Sequence, residues 1–475
     1  MFNRPARGAP LLRRRNGEIS RVVRDPLPPT DRRQFLAGLA VAAASPLLTG
    51  FASPIVGRVL AMSDLHSAYE RTGRLLAALE AEVAAHPVPH VIAINGDAFE
   101  HGNVAAVRSG GAIDWAFLGE LPKIAPTVFN LGNHDNDITP DLADVVARLR
   151  GLGITVISTI VDARTGAPYA GASATLPLGA RRLRVVGVAT NSLNTYPAAS
   201  RPNLTIPVPG EWARANLAAA LAGAELSMVM SHAGVAPDRD ILPLLPQGAL
   251  MVGGHNHLLF QHRQGRSLYV HTGSWSNAYT AIPLRMTGPG DAVSRQVASD
   301  AAPSPRLAAL ISTVLTRDVT EQEQAILGNS QRGLSLGDTG RAVAAAMARA
   351  SGAEAGFIGH TTLGTGLPSG PVSRFAFDAV VRFEGKLMVA EAPRERLAGF
   401  IARANQDRPM PLDQRSGDFL YAETLTPAGG GLARIVTTDW CATNQAEYFG
   451  ASDLVFSEVS DLRLKSVAAR GLLVS

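Results

Sequence analysis

The sequence predicts an α/β layered fold followed by a second domain, and three observations carry that reading. Between about residues 58 and 285, short apolar runs of strand length alternate with segments of helical periodicity. At 475 residues with 46% apolar side chains, the chain exceeds what one core usually spans and can bury two. A stretch of linker composition, residues 287–305, with Gly288-Pro289-Gly290 and Ser304-Pro305, then divides the chain.

Taken in order, strands are expected at 59–62, 91–94 and 128–131, then at 154–157, 183–189, 228–230, 250–252 and 268–270. The first helix is expected over 68–85, where Leu75, Leu76, Leu79 and Val83 share one face. Thr139-Pro140 is expected to open a second helix that carries Leu142, Val145, Val146 and Leu149 before Gly151. A helix over 306–314 should bridge into the second domain. The expected division is 54–300 for a first, catalytic domain, 301–329 for a linker helix and 330–475 for the second domain. No internal repeat or low-complexity tract interrupts the pattern.

Charge and cysteine usage narrow the function classes. The formal charge is +4, but residues 1–33 alone hold nine arginines against Glu18, Asp25 and Asp31, and the rest of the chain carries 35 basic and 37 acidic side chains. A nucleic-acid polymer is therefore not an expected partner. Residues 1–53 read as a twin-arginine export signal: Arg32-Arg33-Gln34-Phe35-Leu36 precedes the uncharged, alanine-rich segment 37–52. Gly38, Ser45, Pro46, Thr49 and Gly50 dilute that segment, so no stable membrane span is expected. The implied partner is the twin-arginine export machinery and the implied location is the periplasm. The one cysteine, Cys441, excludes an internal disulfide and reads as a small buried apolar residue.

Five motifs follow five of the strand-like runs directly: Asp64-Leu65-His66, Gly96-Asp97, Gly132-Asn133-His134-Asp135, Ser231-His232 and Gly254-His255-Asn256-His257. In an open α/β sheet the strand C-termini are where a site collects. Asp64 and His66, two apart, can face one divalent ion, and Asp97 on a neighbouring strand can bridge to a second through its two oxygens. Asn133, His232 and His255 would complete the second ion, and His257 the first. A carboxylate, amide and imidazole set without thiolate suits two divalent ions such as Mn, Fe or Zn. Two such ions, roughly 3.5 to 4 Å apart, activate water at neutral pH and clamp the oxygens of an in-line phosphoryl displacement. His134 sits next to Asn133 and is free to face the substrate, with Asp137 placed to hold its ring. A single histidine in such a loop is more often structural; five motifs with coherent strand-end placement are not explained by core packing.

In this order the motifs resemble the signature of the calcineurin-like metallophosphoesterases. The spacing of Asn133, His134 and Asp137 is similar to the branch of periplasmic 5′-nucleotidases and 2′,3′-cyclic-nucleotide phosphodiesterases. The resemblance implies a four-layer α-β-β-α sandwich with a dinuclear centre, a catalytic His134–Asp137 dyad, and a smaller C-terminal α/β domain that contacts a small phosphorylated substrate, a nucleotide in many members. The C-terminal half is similar in its opening, Leu334 to Gly340 leading into a helix over 341–350, and in the strand ending Phe357-Ile358-Gly359-His360. It departs where the branch carries an Asn-Gly-Gly-Ile-Arg motif: here the chain reads His360-Thr361-Thr362-Leu363-Gly364-Thr365-Gly366, with no arginine.

Secondary candidates have plainer alternatives. Trp440, Tyr448 and Phe449 are placed to stack on a base, although most aromatics are core. His101 could line the pocket, and Arg374 and Arg382 could neutralise a phosphate or be solvated. Residues 359–366 lack the Gly-Lys-Ser/Thr ending of a phosphate-cradling loop and read as a connection. His86, His90 and His262 are expected at the surface. The function expected is exported phosphate mono- or diester hydrolysis. The alternatives are a thiosulfohydrolase of the same fold and a non-catalytic ligand-binding protein.

Overall fold

In the strand Ile55–Met62, Val59 and Ala61 enter one apolar core and Leu60 and Met62 another, all fully buried, so both faces of the strand are covered. This is a computed structural model that describes residues 53–298, 300–425 and 431–474. The expected export segment lies, apart from Ser53, outside the described residues.

Ile55–Met62 runs parallel to His90–Asn95, which is followed outward by Thr127–Asn130 and Thr155–Ile157. On its other side it pairs antiparallel with Ala278–Arg285, giving a seven-stranded sheet with Gly288–Pro289 and Val293–Gln296 at that edge. A six-stranded sheet faces it, in the order Leu259–Gln264, Ser267–Thr272, Leu250–Gly253, Leu226–His232, Arg181–Ala189, Ser173–Leu178, with a parallel centre. Val59, Ala61, Val91 and Ala93 meet Val185, Met228, Met230 and Val252 between the sheets. Helices Glu70–Ala85, Ala112–Glu120, Leu142–Gly151 and Pro305–Asp318 cover the first sheet, and Pro209–Ala220 and Val235–Ile241 the second. The result is the four-layer α-β-β-α sandwich. Leu75, Leu76 and Leu79 are fully buried on the first helix, and each such burial contributes roughly 2 kcal/mol.

The C-terminal part is a five-stranded mixed sheet in the order Leu420–Thr424, Ala355–Gly359, Leu432–Thr438, Lys386–Pro393, Ser457–Arg463. Helix Leu336–Ser351 presses Val343 and Met347 onto Ile358 and Val436, and helix Arg394–Arg403 covers the other face through Leu397 and Phe400. Among the described residues no helix is long and apolar enough to cross a membrane.

Several expectations need correction. The linker-like stretch 287–305 carries two edge strands; Val293–Gln296 is wholly exposed and, apart from Val293, polar, so it shows no apolar alternation and is held by backbone pairing to 278–281. The helix expected to open at Thr139-Pro140 starts at Leu142, because the Asp141 side chain accepts from Ala143 N at 2.9 Å and caps it there. The linker helix is longer than expected, Pro305–Asp318, is capped by Ser304, and seats Leu307, Ile311 and Val314 in the sandwich core. His90 is not a surface residue: it begins a fully buried strand and is 6% exposed.

Candidate active site

The parallel strands of both sheets end at one edge of the sandwich, so the loops that follow them converge. Asp64 and His66 follow Ile55–Met62, Asp97 follows His90–Asn95, and Asn133 and His134 follow Thr127–Asn130. From the facing sheet, His232 closes Leu226–His232 while His255 and His257 follow Leu250–Gly253. Asp64, His66, Asp97, His255 and His257 have φ of 54°, 51°, 56°, 75° and 55°, all in the left-handed region. Such backbone costs of order 1–3 kcal/mol per residue and persists where the surroundings over-determine it, as functional sites do. Gly132 leaves the room this crowding needs, since a Cβ there would lie 2.7 Å from Asp97 N and 2.9 Å from His232 Nε2.

All seven residues expected as metal donors come together. Asp64, His66 and His257 form one group and Asp97, His232 and His255 a second, with the donor atoms of each group within 4.8 Å of one another. His66 Nε2 and His257 Nε2 are 2.8 Å apart. Asp64 Oδ1 lies 3.7 Å from His257 Nε2 and 3.9 Å from His232 Nε2, which links the groups. Asn133 Oδ1 sits 2.8 Å from His255 Nδ1. The carboxylates are oriented from behind: Ser63 Oγ donates to Asp64 Oδ2 at 2.6 Å, and His134 N donates to Asp97 Oδ1 at 2.7 Å.

The donor set fits divalent cations on its own chemistry. His232 Nδ1 is 2.6 Å from the Asn95 carbonyl oxygen, which can only accept, so Nδ1 carries the proton in the neutral ring and Nε2 a lone pair. That Nε2 faces Asp97 Oδ2 at 3.1 Å, buried and without a hydrogen bond. The ring proton needed to relieve this would make an imidazolium, and the Asp97 and Asp64 carboxylates do pull His232 upward against burial, while His232 holds Asp97 well down against its own burial. A cation shared between the lone pair and the carboxylate relieves the same contact without a proton. His66 and His257 are pushed well below the ordinary histidine range, chiefly by burial, and so present neutral imidazoles of the kind that ligate metals.

His134 belongs to neither group: at the cavity wall its ring meets the His66 ring edge-on, centroids 5.3 Å apart, and clusters with Asp137 and Glu100. Its Nδ1 is 2.9 Å from Asp137 Oδ2, and Asp137 also accepts from His101 N at 3.1 Å. Burial works against a charged ring, yet Asp97 and Asp137 overcome it and lift the His134 pKa to about 9. The His101 side chain is largely exposed, 3.8 Å from Asp137.

Three residues essential to this arrangement carry no role that the sequence marks. Asp135 ties two site loops together, accepting from Gly132 N at 2.6 Å and Ala98 N at 2.8 Å. Asn130 donates to Asn95 Oδ1 and to the Val188 and Met230 carbonyls, stitching the two sheets below the site. Glu100 Oε2 lies 3.3 Å from His66 Nδ1. Arg382, one of the two arginines weighed as phosphate neutralisers, reaches in from the C-terminal part, pairs with Glu100 and lies 4.6 Å over the Trp275 ring. Its near-complete burial pushes its pKa down to about 9. Arg374, the other candidate, is exposed at the start of helix Arg374–Val380.

A cavity of about 560 Å³ opens on His66, Asp97, Asn133 and His134 and is closed by Arg382, Phe383 and Trp440. Trp440 is 50% exposed and its Nε1 donates to Tyr448 OH at 3.2 Å; Tyr448 is buried and lines the same cavity. Phe449 does not. It packs at 5.2 Å on Phe357 and 5.3 Å on Phe400 in the C-terminal core, so the expectation that it stacks on a substrate is withdrawn. Cys441 is fully buried, as expected.

Comparison with known proteins agrees with this geometry. Residues 57–259 match the family model described as calcineurin-like phosphoesterase. Among curated proteins there is no significant sequence match. Solved structures share the fold at low identity. The 5′-nucleotidase precursor of Thermus thermophilus is 18% identical with a TM-score of 0.57, over 88% of this chain and 96% of that one. The sulfate thiohydrolase SoxB of the same organism, solved with glycerol, is 15% identical with a TM-score of 0.60, over 89% and 94%. The 5′-nucleotidase of Candida albicans is 11% identical with a TM-score of 0.55, over 89% and 99%. Over residues 57–259 the chain matches the calcineurin-like phosphoesterases, a family of phosphoric ester hydrolases, and it shares the two-domain fold of solved 5′-nucleotidases.

Proposed function

We propose that the protein is an exported, dinuclear metal-dependent phosphoesterase that hydrolyses small phosphate mono- or diesters, nucleotides among them. The observation that supports it best is the pair of donor groups, Asp64/His66/His257 and Asp97/His232/His255, set side by side at the foot of one cavity. Asn133 joins the second group through its contact with His255. Two divalent ions held there (Mn, Fe or Zn) would supply a water-derived nucleophile at neutral pH and neutralise the phosphoryl oxygens.

The chain's own residues divide the remaining work. With His134 Nδ1 bound to Asp137, Nε2 is the atom left to donate to a phosphoryl or leaving-group oxygen. Arg382 sets a guanidinium against the same cavity, and Trp440 offers an exposed ring face at its mouth. Residues 330–475 act in this reading as the substrate-contacting domain. Export rests on the Arg32-Arg33 motif and the uncharged segment after it.

The test is a hydrolysis screen of the full chain with Mn and Zn supplied separately. It covers mononucleotides, cyclic nucleotides, sugar phosphates, bis-aryl phosphate and one thiosulfate ester. Turnover of phosphate esters, lost in Asp97→Asn together with at least one ion per chain, is the expected result. Turnover of the sulfur ester alone would favour the thiosulfohydrolase reading suggested by the shared fold. Two bound ions with no turnover would favour a binding protein. Replacing Arg32 and Arg33 by lysine should hold the protein in the cytoplasm.

A further inference from the structure

A second cavity, of about 850 Å³, shares only His257 with the first and lies where the sandwich meets the C-terminal part. Its polar lining is markedly cationic. Arg71 and Arg74, three apart on helix Glu70–Ala85, both reach it. Arg71 is engaged, donating to Thr365 Oγ1 at 2.6 Å and to Asn277. Arg74 makes no ion pair or hydrogen bond among the described residues, and its Nε is buried without an acceptor. Opposite, the 16-residue helix Leu336–Ser351 begins at the cavity, and its cap Ser335 satisfies only Asp338 N and Thr339 N. The N–H groups of Leu336 and Gly337 are left for another acceptor. Ser276 adds a hydroxyl that is 1% exposed and lacks a hydrogen-bond partner. The one carboxylate lining the cavity, Asp407, is already held by Arg341 at 3.1 Å.

Buried donors without acceptors are uncommon in folded proteins and ask for a partner. Here the donors are a guanidinium, a helix N-terminus and a hydroxyl, which is the recognition chemistry of an oxyanion. We propose that this cavity is a second ligand site that binds inorganic phosphate or the phosphate group of a small molecule, bridging the sandwich and the C-terminal sheet. It is separate from the reaction at the metal donors and does not depend on which ester is cleaved there.

The test is calorimetric titration of the metal-loaded full chain with inorganic phosphate, on wild type, Arg74→Gln and Arg74→Lys. Wild type should bind one phosphate more per chain than Arg74→Gln, whatever the metal centre itself binds, while hydrolysis by that variant stays within about twofold. Arg74→Lys keeps the charge but not the paired donors and should weaken the extra site about fivefold or more. Equal stoichiometry in wild type and Arg74→Gln overturns the proposal, as does an extra site of unchanged affinity in Arg74→Lys. Repeating the titration with a sugar phosphate in place of phosphate tells a free-anion site from one that holds a larger ligand.

Discussion

His232 Nδ1 is held at 2.6 Å by the backbone carbonyl of Asn95, and the Asn95 side chain donates to the carbonyls of Ser231 and Val252 at 2.8 and 3.0 Å. One residue of the first sheet thus sets the tautomer of a donor in the second and fixes the spacing of the two sheets beneath it. The Asn95→Ala chain keeps the carbonyl but loses the side-chain bonds to the Ser231 and Val252 carbonyls and the one accepted from Asn130, each worth about 1 kcal/mol, while Ser231 O keeps Gly254 N as a donor. The ring of His232 then loses its support, and outer-shell losses of this kind lower metal affinity roughly 10–100-fold. Chemical denaturation and metal titration of Asn95→Ala should show both effects. Full stability with weakened metal binding, or the reverse, would separate the two roles assigned to this side chain.

His134→Asn should leave the metal content unchanged and lower kcat by roughly 10² or more, the range of a positioned acid or charge stabiliser. The reason is positional: the His134 ring bonds Asp137 and meets the donor His66 only edge-on, and it is the backbone N of His134 that donates to Asp97. Asp137→Asn should give a smaller loss, since the ring keeps its place on the loop but loses the partner that orients it. Metal analysis beside steady-state kinetics checks the pair. Loss of an ion from His134→Asn would make it a ligand.

The donor loops were legible in the sequence because each polar motif begins within two residues of the end of an apolar run, so the strand end and the ligand are read together. What lay outside local reach depends on folding between distant segments. Arg382 follows Val380 and Val381 as an ordinary strand-edge arginine would, and only docking of the C-terminal sheet brings it onto Glu100. Trp440, Tyr448 and Phe449 are alike as aromatics near a short helical turn; which one faces the cavity is decided by the packing of Phe357 and Phe400 around Phe449. His90 and strand Val293–Gln296 reversed their expected roles for the same reason, a buried polar residue and an exposed strand each contradicting simple periodicity.

That division of the aromatics can be tested by two substitutions. Phe449→Ala removes a ring that is 4% exposed within the C-terminal core and should destabilise by about 3–5 kcal/mol. Trp440→Ala removes a half-exposed ring from the cavity wall, so stability should change by less than about 1 kcal/mol. Its effect should appear as a raised KM for substrates with a planar leaving group. Thermal denaturation and KM measured on both variants decide the matter; a raised KM in Phe449→Ala at full stability would return that residue to the site.

Asp114 gives a pH test independent of the metal donors. It is buried on helix Ala112–Glu120, accepts from Ser67 Oγ at 3.0 Å, and burial raises its pKa from 3.8 to about 7 against that hydrogen bond. With the folded-state pKa above the unfolded one, the folded chain binds the extra proton. The contribution to stability is therefore complete below about pH 4 and is lost as pH rises through 7. The ceiling is about 4 kcal/mol, at 1.36 kcal/mol per pKa unit. Asp114→Asn keeps an acceptor for Ser67 without the charge, so its advantage over wild type should be near zero at pH 4, grow through pH 5 and 6, and level off above pH 8. Denaturant midpoints at pH 4.5 and 8.5 measure it, and an advantage that did not change with pH would mean that Asp114 ionises at its ordinary carboxylate value.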